Sequence, residues 1–146
     1  METMTENYKA VLTVDAPVKT VFDSINKIND WWGHIEGPTE HQGDEFVYHP
    51  GETTVNMKII DMIPDKKIVW YVTDCYLPWL KDIKEWKDTT IVFNLKPVEE
   101  GTEIDFEHIG LTPEVECYNG CVKGWDQYIK GSLKDLITNG VGKPGM

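Results

Sequence analysis

Between Glu103 and His108 the chain alternates carboxylates with apolar or aromatic side chains: Glu103, Asp105 and Glu107 fall on one side, Ile104, Phe106 and His108 on the other. Successive residues of an extended strand point to opposite faces, so this segment reads as a strand with one wet face and one covered face. A slip of one residue would carry the whole carboxylate row inward, away from the water that solvates it, which pins the register. The segment therefore demands a sheet whose inner face is buried under something apolar, and it carries His108 to that inner face.

Other segments show the same period of two. Tyr8, Ala10, Leu12 and Val14 alternate with Lys9 and Thr13, and the run ends at Asp15-Ala16-Pro17, where a proline suits the first turn of a helix. A short helix is expected next, with Val18, Val21, Phe22 and Ile25 on one face, stopped at Asn29-Asp30; Trp31-Trp32-Gly33 then opens an irregular connection. Strands are expected at Phe46 to His49, Thr54 to Ile63, Ile68 to Thr73 and Thr89 to Leu95, punctuated by Pro50-Gly51, Pro64-Asp65 and Glu99-Glu100-Gly101. Short turns between sequential strands imply antiparallel neighbours.

The cover for the sheet is the C-terminal segment. After Thr112-Pro113-Glu114, with Thr112 as N-cap, a helix is expected to run to about Asn139 and to end before Gly140. Tyr118, Val122, Trp125, Ile129, Leu133 and Leu136 recur every three or four residues and form its inward stripe. Gly120, Gly124 and Gly131 each cost about 1 kcal/mol relative to alanine in a helix interior, so this helix must draw its stability from tertiary packing. The fold class is α+β, in one domain over residues 1–146, with an ordered core at about 8–139 and a loose tail at 140–146.

A chain of 146 residues is long enough for one real core. Its net charge of -11 and the want of any Lys/Arg cluster argue against nucleic acid and anionic membrane surfaces as partners. No apolar run approaches the ~20 residues that span a bilayer, and METMTENYKA has no apolar signal core, so membrane insertion is not expected and a cytoplasmic location is. Cys75, Cys117 and Cys121 are an odd set, expected as free thiols in a reducing compartment.

The ordered set VDAPVKTVFDSI, WWG, GDEF, KIVW, TTIVFNL, GTEIDFEHIGL and GWDQYIKGSLKDLI resembles the START-like or SRPBCC superfamily from about Tyr8 to Gly140. Within it the chain looks most similar to the Aha-type family, named for the C-terminal domain of the heat-shock chaperone ATPase activator. The resemblance implies the helix-grip fold: a strongly bent antiparallel sheet of about six strands gripping a long C-terminal helix, with two short helices after the first strand and a cavity between sheet and helix. Superfamily members include lipid and hormone binders and polyketide aromatase/cyclases. The resemblance supplies no catalytic motif that can be carried over, so function has to be read from the lining.

Trp32, Phe46, Tyr48, Trp70, Phe93, Phe106, His108, Tyr118, Trp125, Tyr128 and Ile129 are the candidate lining, equally able to serve as plain core; Trp125, Phe106 and His108 are the residues expected nearest a ligand. The facing of Trp70 is ambiguous, because Val69-Trp70-Tyr71-Val72 is apolar on both sides. His108 is the one candidate acid or base, since imidazole titrates near neutrality, but it has no identifiable catalytic partner and a buried structural histidine reads equally well. Leu77, Pro78, Trp79 and Leu80 lie in an unusually apolar connection, Cys75 to Trp86, which reads as a lid, a partner-docking patch or a loop folded on the sheet edge. Cys117 and Cys121 share a helical face but find no further ligands at metal-binding spacing, and no phosphate loop or dinucleotide fingerprint occurs, so neither metal nor cofactor is expected. Three functions follow: a binding module for an apolar or aromatic small molecule, a chaperone-associated protein acting through its surface, or a cyclase- or hydrolase-type enzyme using His108.

Overall fold

A computed structural model describes residues 7–144. Seven strands form one antiparallel sheet, β1 (Tyr8–Val14), β2 (Ile35–Glu36), β3 (Glu45–Tyr48), β4 (Thr54–Ile63), β5 (Lys67–Tyr76), β6 (Thr90–Val98) and β7 (Gly101–Ile109), in the order β1-β7-β6-β5-β4-β3-β2. Between β1 and β2 lie two short helices, α1 (Val18–Asn26) and α2 (Ile28–Trp31). The C-terminal helix runs as α3 (Tyr118–Trp125), a π-helical stretch (Asp126–Leu133) and α4 (Lys134–Asn139), with Gly140 in the left-handed conformation closing it. This is the α+β helix-grip arrangement that the resemblance implied.

The pattern that fixed β7 holds residue by residue. Thr102, Ile104, Phe106 and His108 are buried, and the intervening Glu103, Asp105 and Glu107 face outward. Pairing with β1 sets Tyr8 opposite His108, Ala10 opposite Phe106 and Leu12 opposite Ile104, so one continuous apolar surface crosses both strands. Gly101 takes φ 141 at the β6–β7 turn, where a Cβ would run into the Val14 carbonyl, so only glycine fits there. Two register shifts between β4 and β5, at Asn56/Met57 and at Ile59/Asp61, bend the sheet around the helix.

Several boundaries differ from expectation. Asn29 and Asp30 lie inside α2 instead of ending the first helix, which stops at Asn26. The two-residue β2 is too short to show a period. The last helix begins at Tyr118, not after Thr112: Pro113 to Cys117 form turns, and the Glu85 carboxylate, from the β5–β6 connection, accepts the backbone amides of Glu116 and Cys117 at 2.8 and 2.9 Å. A cap supplied from a distant segment decides where this helix starts.

Inside the helix Cys121, Trp125, Ile129, Leu133 and Ile137 are all buried, a step of four residues throughout. On an ideal α-helix each such step overshoots a full turn by about 40°, and the stripe would wind off the sheet. The wider π turn compensates that drift and keeps the stripe on one side. The Tyr8 hydroxyl donates to the Asp126 carboxylate, tying β1 to the start of the π stretch. Ser132 donates to the Trp31 carbonyl at 2.6 Å and accepts the Lys143 amide at 2.7 Å, so the chain beyond Gly140 returns against α2 and the helix as far as the described residues extend.

Cys117 and Cys121 form a disulfide, correcting the expectation of three thiols, and Cys75 remains free and buried. Their Cα atoms are 5.6 Å apart across the first turn of the helix, within the reach of a bridge. Among the described residues no helix is long and apolar enough to cross a membrane.

Candidate functional site

The apolar faces of the sheet and the helix do not meet everywhere. Near the start of the C-terminal helix they leave a concavity of about 280 Å³. The sheet side is made by Tyr48 of β3, Val55 of β4 and the hairpin residues Pro50 and Thr53; the helix supplies Gly120, Cys121, Gly124, Trp125 and Tyr128. Trp32, just past α2, forms the inner wall, and Leu77, Trp79 and Trp86 of the β5–β6 connection form the rim. Among the described residues no lining residue is acidic or basic.

The walls are held by ring packing. Trp32 stacks on Tyr48 at 4.0 Å and sits 5.0 Å from Trp125, while Trp86 and Trp125 lie near-parallel at 6.0 Å. Behind this layer Trp32 parallels Trp70, and Trp70, Phe93 and Phe106 interlock edge to face. The indole N–H of Trp70 is buried without a partner among the described residues. Burial, and then the neighbouring Tyr128, hold the Tyr48 phenol well above the usual tyrosine range, so it stays neutral.

His108 sits behind Trp125, wholly buried. The Trp125 indole N–H donates to its Nδ1 at 3.1 Å, and its Nε2 lies 2.9 Å from Thr89 Oγ1. The Thr89 hydroxyl donates to the Trp86 carbonyl at 2.7 Å, so its oxygen accepts from Nε2–H, which selects the Nε2-protonated neutral tautomer. A second ring proton would point at the indole N–H. Burial pushes the imidazole down to about 3. The chain Trp125, His108, Thr89, Trp86 thus fastens two facing walls of the concavity through one imidazole.

Of the candidate lining residues, Trp32, Tyr48, Trp125 and Tyr128 border the concavity; Phe46, Trp70, Phe93, Phe106, His108 and Ile129 lie in the layer behind it, and Tyr118 packs partly buried against the core. Trp70 and its neighbour Val69 are both buried, so β5 is covered on both faces there. In the apolar connection Leu77 and Trp79 face the concavity, Leu80 is buried and Pro78 is exposed. Trp79 is 56% exposed, and its indole N–H reaches Thr53 Oγ1 at 3.1 Å across the rim. The connection is fastened to the helix by the Glu85 cap, by the Lys81 amide donating to Glu116 at 3.0 Å, and by the Trp86 indole donating to Cys117 Sγ at 3.3 Å.

Sequence reasoning did not pick out Trp86, Val55 or the glycine floor. The signal for the floor was present: Gly120 and Gly124 stand four residues apart in a helix that both weaken. A Cβ built on either would meet nothing within 4 Å. Among the described residues no group of three or more His, Cys, Asp and Glu side chains is placed to hold a metal ion.

A bent seven-stranded antiparallel sheet closed by a C-terminal helix over an uncharged aromatic concavity defines the helix-grip class. The chain belongs to the family described as Activator of Hsp90 ATPase homolog 1-like protein, which it matches over residues 15–138. Among solved structures it is similar to the Aha1 dimer from Colwellia psychrerythraea, at 21% identity and a TM-score of 0.77, covering 94% of this chain and 99% of that one. A protein from Staphylococcus saprophyticus is similar at 19% identity and a TM-score of 0.70, covering 97% and 98%. DynU16, of the dynemicin biosynthetic locus, matches at 14% identity and a TM-score of 0.69, with 92% of this chain covering 48% of that one. No curated protein matches the chain by sequence. Likeness at these identities shows the fold, and function has to come from the site.

Proposed function

We propose that this chain is a binding protein for a small apolar, aromatic molecule, held in the concavity between the sheet and the start of the C-terminal helix. The observation that carries this reading is the uncharged, aromatic-walled space of about 280 Å³, whose floor is two bare helix glycines. Trp32, Tyr48, Trp86, Trp125 and Tyr128 supply ring contacts, and Leu77 and Trp79 guard the mouth. His108 serves as a positioning residue for Trp125 and Trp86, because both ring nitrogens are engaged and the imidazole has no contact with the space. Native mass spectrometry of freshly purified protein, together with thermal melting against a panel of apolar compounds, tests the reading. A retained small molecule, or a melting temperature that rises with ligand concentration as mass action requires, supports it. Protein that carries nothing and melts at one temperature throughout the panel sinks it.

Membership in the Hsp90 ATPase activator-like family favours a second reading, association with a heat-shock chaperone through the surface. Adding the chain to its own cell's Hsp90 and measuring ATP hydrolysis decides this: acceleration supports it, and an unchanged rate with no complex on gel filtration removes it.

A further inference from the structure

We infer that the occupant is a flat, uncharged molecule of two fused aromatic rings, lying against the bare backbone of Gly120 and Gly124. The inference rests on the binding role proposed above and narrows it from three directions.

Volume sets the ring count. An apolar cavity of about 150 Å³ accepts one benzene ring, and this concavity holds about 280 Å³, close to twice that. A single ring leaves contacts unmade in such a space, and two fused rings fill about as much of it as one ring fills of the smaller cavity.

Shape follows from the floor. Gly120 and Gly124 are one turn apart on α3, and neither would bring a Cβ within 4 Å of any neighbour, so no packing constraint from the protein accounts for the lack of a side chain. Each glycine costs helix stability, and in place of a side chain it leaves bare backbone in the lining, together with Trp32, Tyr48 and Trp125. A planar ring system fits a lining of bare helix backbone and planar side chains. A branched aliphatic body would touch these walls at points only.

Charge is excluded in both senses. An anion meets no basic group in the lining and a net charge of -11 around it. A cation would gain from the ring faces, but it finds no carboxylate among the described lining residues to replace the water it gives up. The phenols of Tyr48 and Tyr128 leave one polar corner suited to a single hydroxyl or carbonyl.

The test is isothermal titration calorimetry of the wild-type protein and the Gly124→Val variant with four probes: 2-naphthol, 2-naphthoate, phenyltrimethylammonium and 1-dodecanol. The expected result is one-to-one binding of 2-naphthol, at least tenfold tighter than either ion. Gly124→Val should lose at least tenfold in 2-naphthol affinity while melting no lower than wild type, since valine is the better helix former. Binding of 1-dodecanol without 2-naphthol overturns the bicyclic assignment and leaves the binding role standing, whereas no binding by any probe overturns both. An ion binding as tightly as 2-naphthol refutes the charge assignment. Unchanged 2-naphthol affinity in Gly124→Val moves the ligand away from the glycine floor.

Discussion

At the scale of single residues the most informative side chain is His108, which is fully satisfied only when neutral. In the unfolded chain an imidazole binds its proton near pH 6.5, whereas in the fold it does so only near 3. The unfolded state therefore holds more protons between those values, and stability is fully present above 6.5 and falls as the pH drops through that window. Between pH 8 and 5 the unfolding free energy should decline by about 2 kcal/mol, before most carboxylates titrate, and denaturant melts at each pH measure it. His108→Gln should flatten that slope; a wild-type curve already flat over the same range would contradict the neutral, buried state of this residue. Behind it Phe106 is completely buried among Tyr8, Phe93 and Trp125, and Phe106→Ala should cost about 3–5 kcal/mol in chemical denaturation. His108 and Phe106 were legible on the inward face of β7 from alternation alone. What the imidazole bonds was not, because Trp125 and Thr89 reach it from elements that no local period connects.

Among the elements, the C-terminal helix shows where local reading succeeds and where it fails. Its apolar stripe was visible as a recurrence of three or four residues, but the π stretch that keeps the stripe straight leaves no mark in residue type. Its start was misplaced because Glu85, more than thirty positions away, holds the amides of Glu116 and Cys117. Glu85→Ala should therefore lower stability by about 1–2 kcal/mol and release the connection that carries Trp86, read as a lower melting temperature and a shifted tryptophan emission. The disulfide in the first turn predicts one titratable sulfhydryl per denatured, unreduced chain, that of Cys75. A count of three would return Cys117 and Cys121 to the thiol state. Spacing had brought the two sulfurs to one helical face, yet composition speaks of compartment and not of whether neighbouring thiols join.

Taken whole, the molecule is an acidic shell around an aromatic interior. With a net charge of -11 its outer carboxylates repel one another, and raising the salt from about 10 to 150 mM should raise the melting temperature as that repulsion is screened. A melting temperature that falls over the same range would mean that ion pairs such as Lys84 with Asp74 outweigh it. The fold at this scale was readable in the ordered succession of strand, helix and strand signals. The site was readable only in part: Trp32, Tyr48, Trp125 and Tyr128 were among the expected lining, but a cavity is space left over when faces close and its volume has no period.

The tryptophans that wall the concavity carry one more consequence. Trp32 and Trp70 lie 5.9 Å apart and within 3° of parallel, with Trp125 and Trp86 continuing the series. Indoles this close share their electronic excitation, so the native protein should show an exciton signature in its near-ultraviolet circular dichroism. Any guest sliding beside Trp32 would perturb that coupling, which makes the protein its own optical gauge of occupancy.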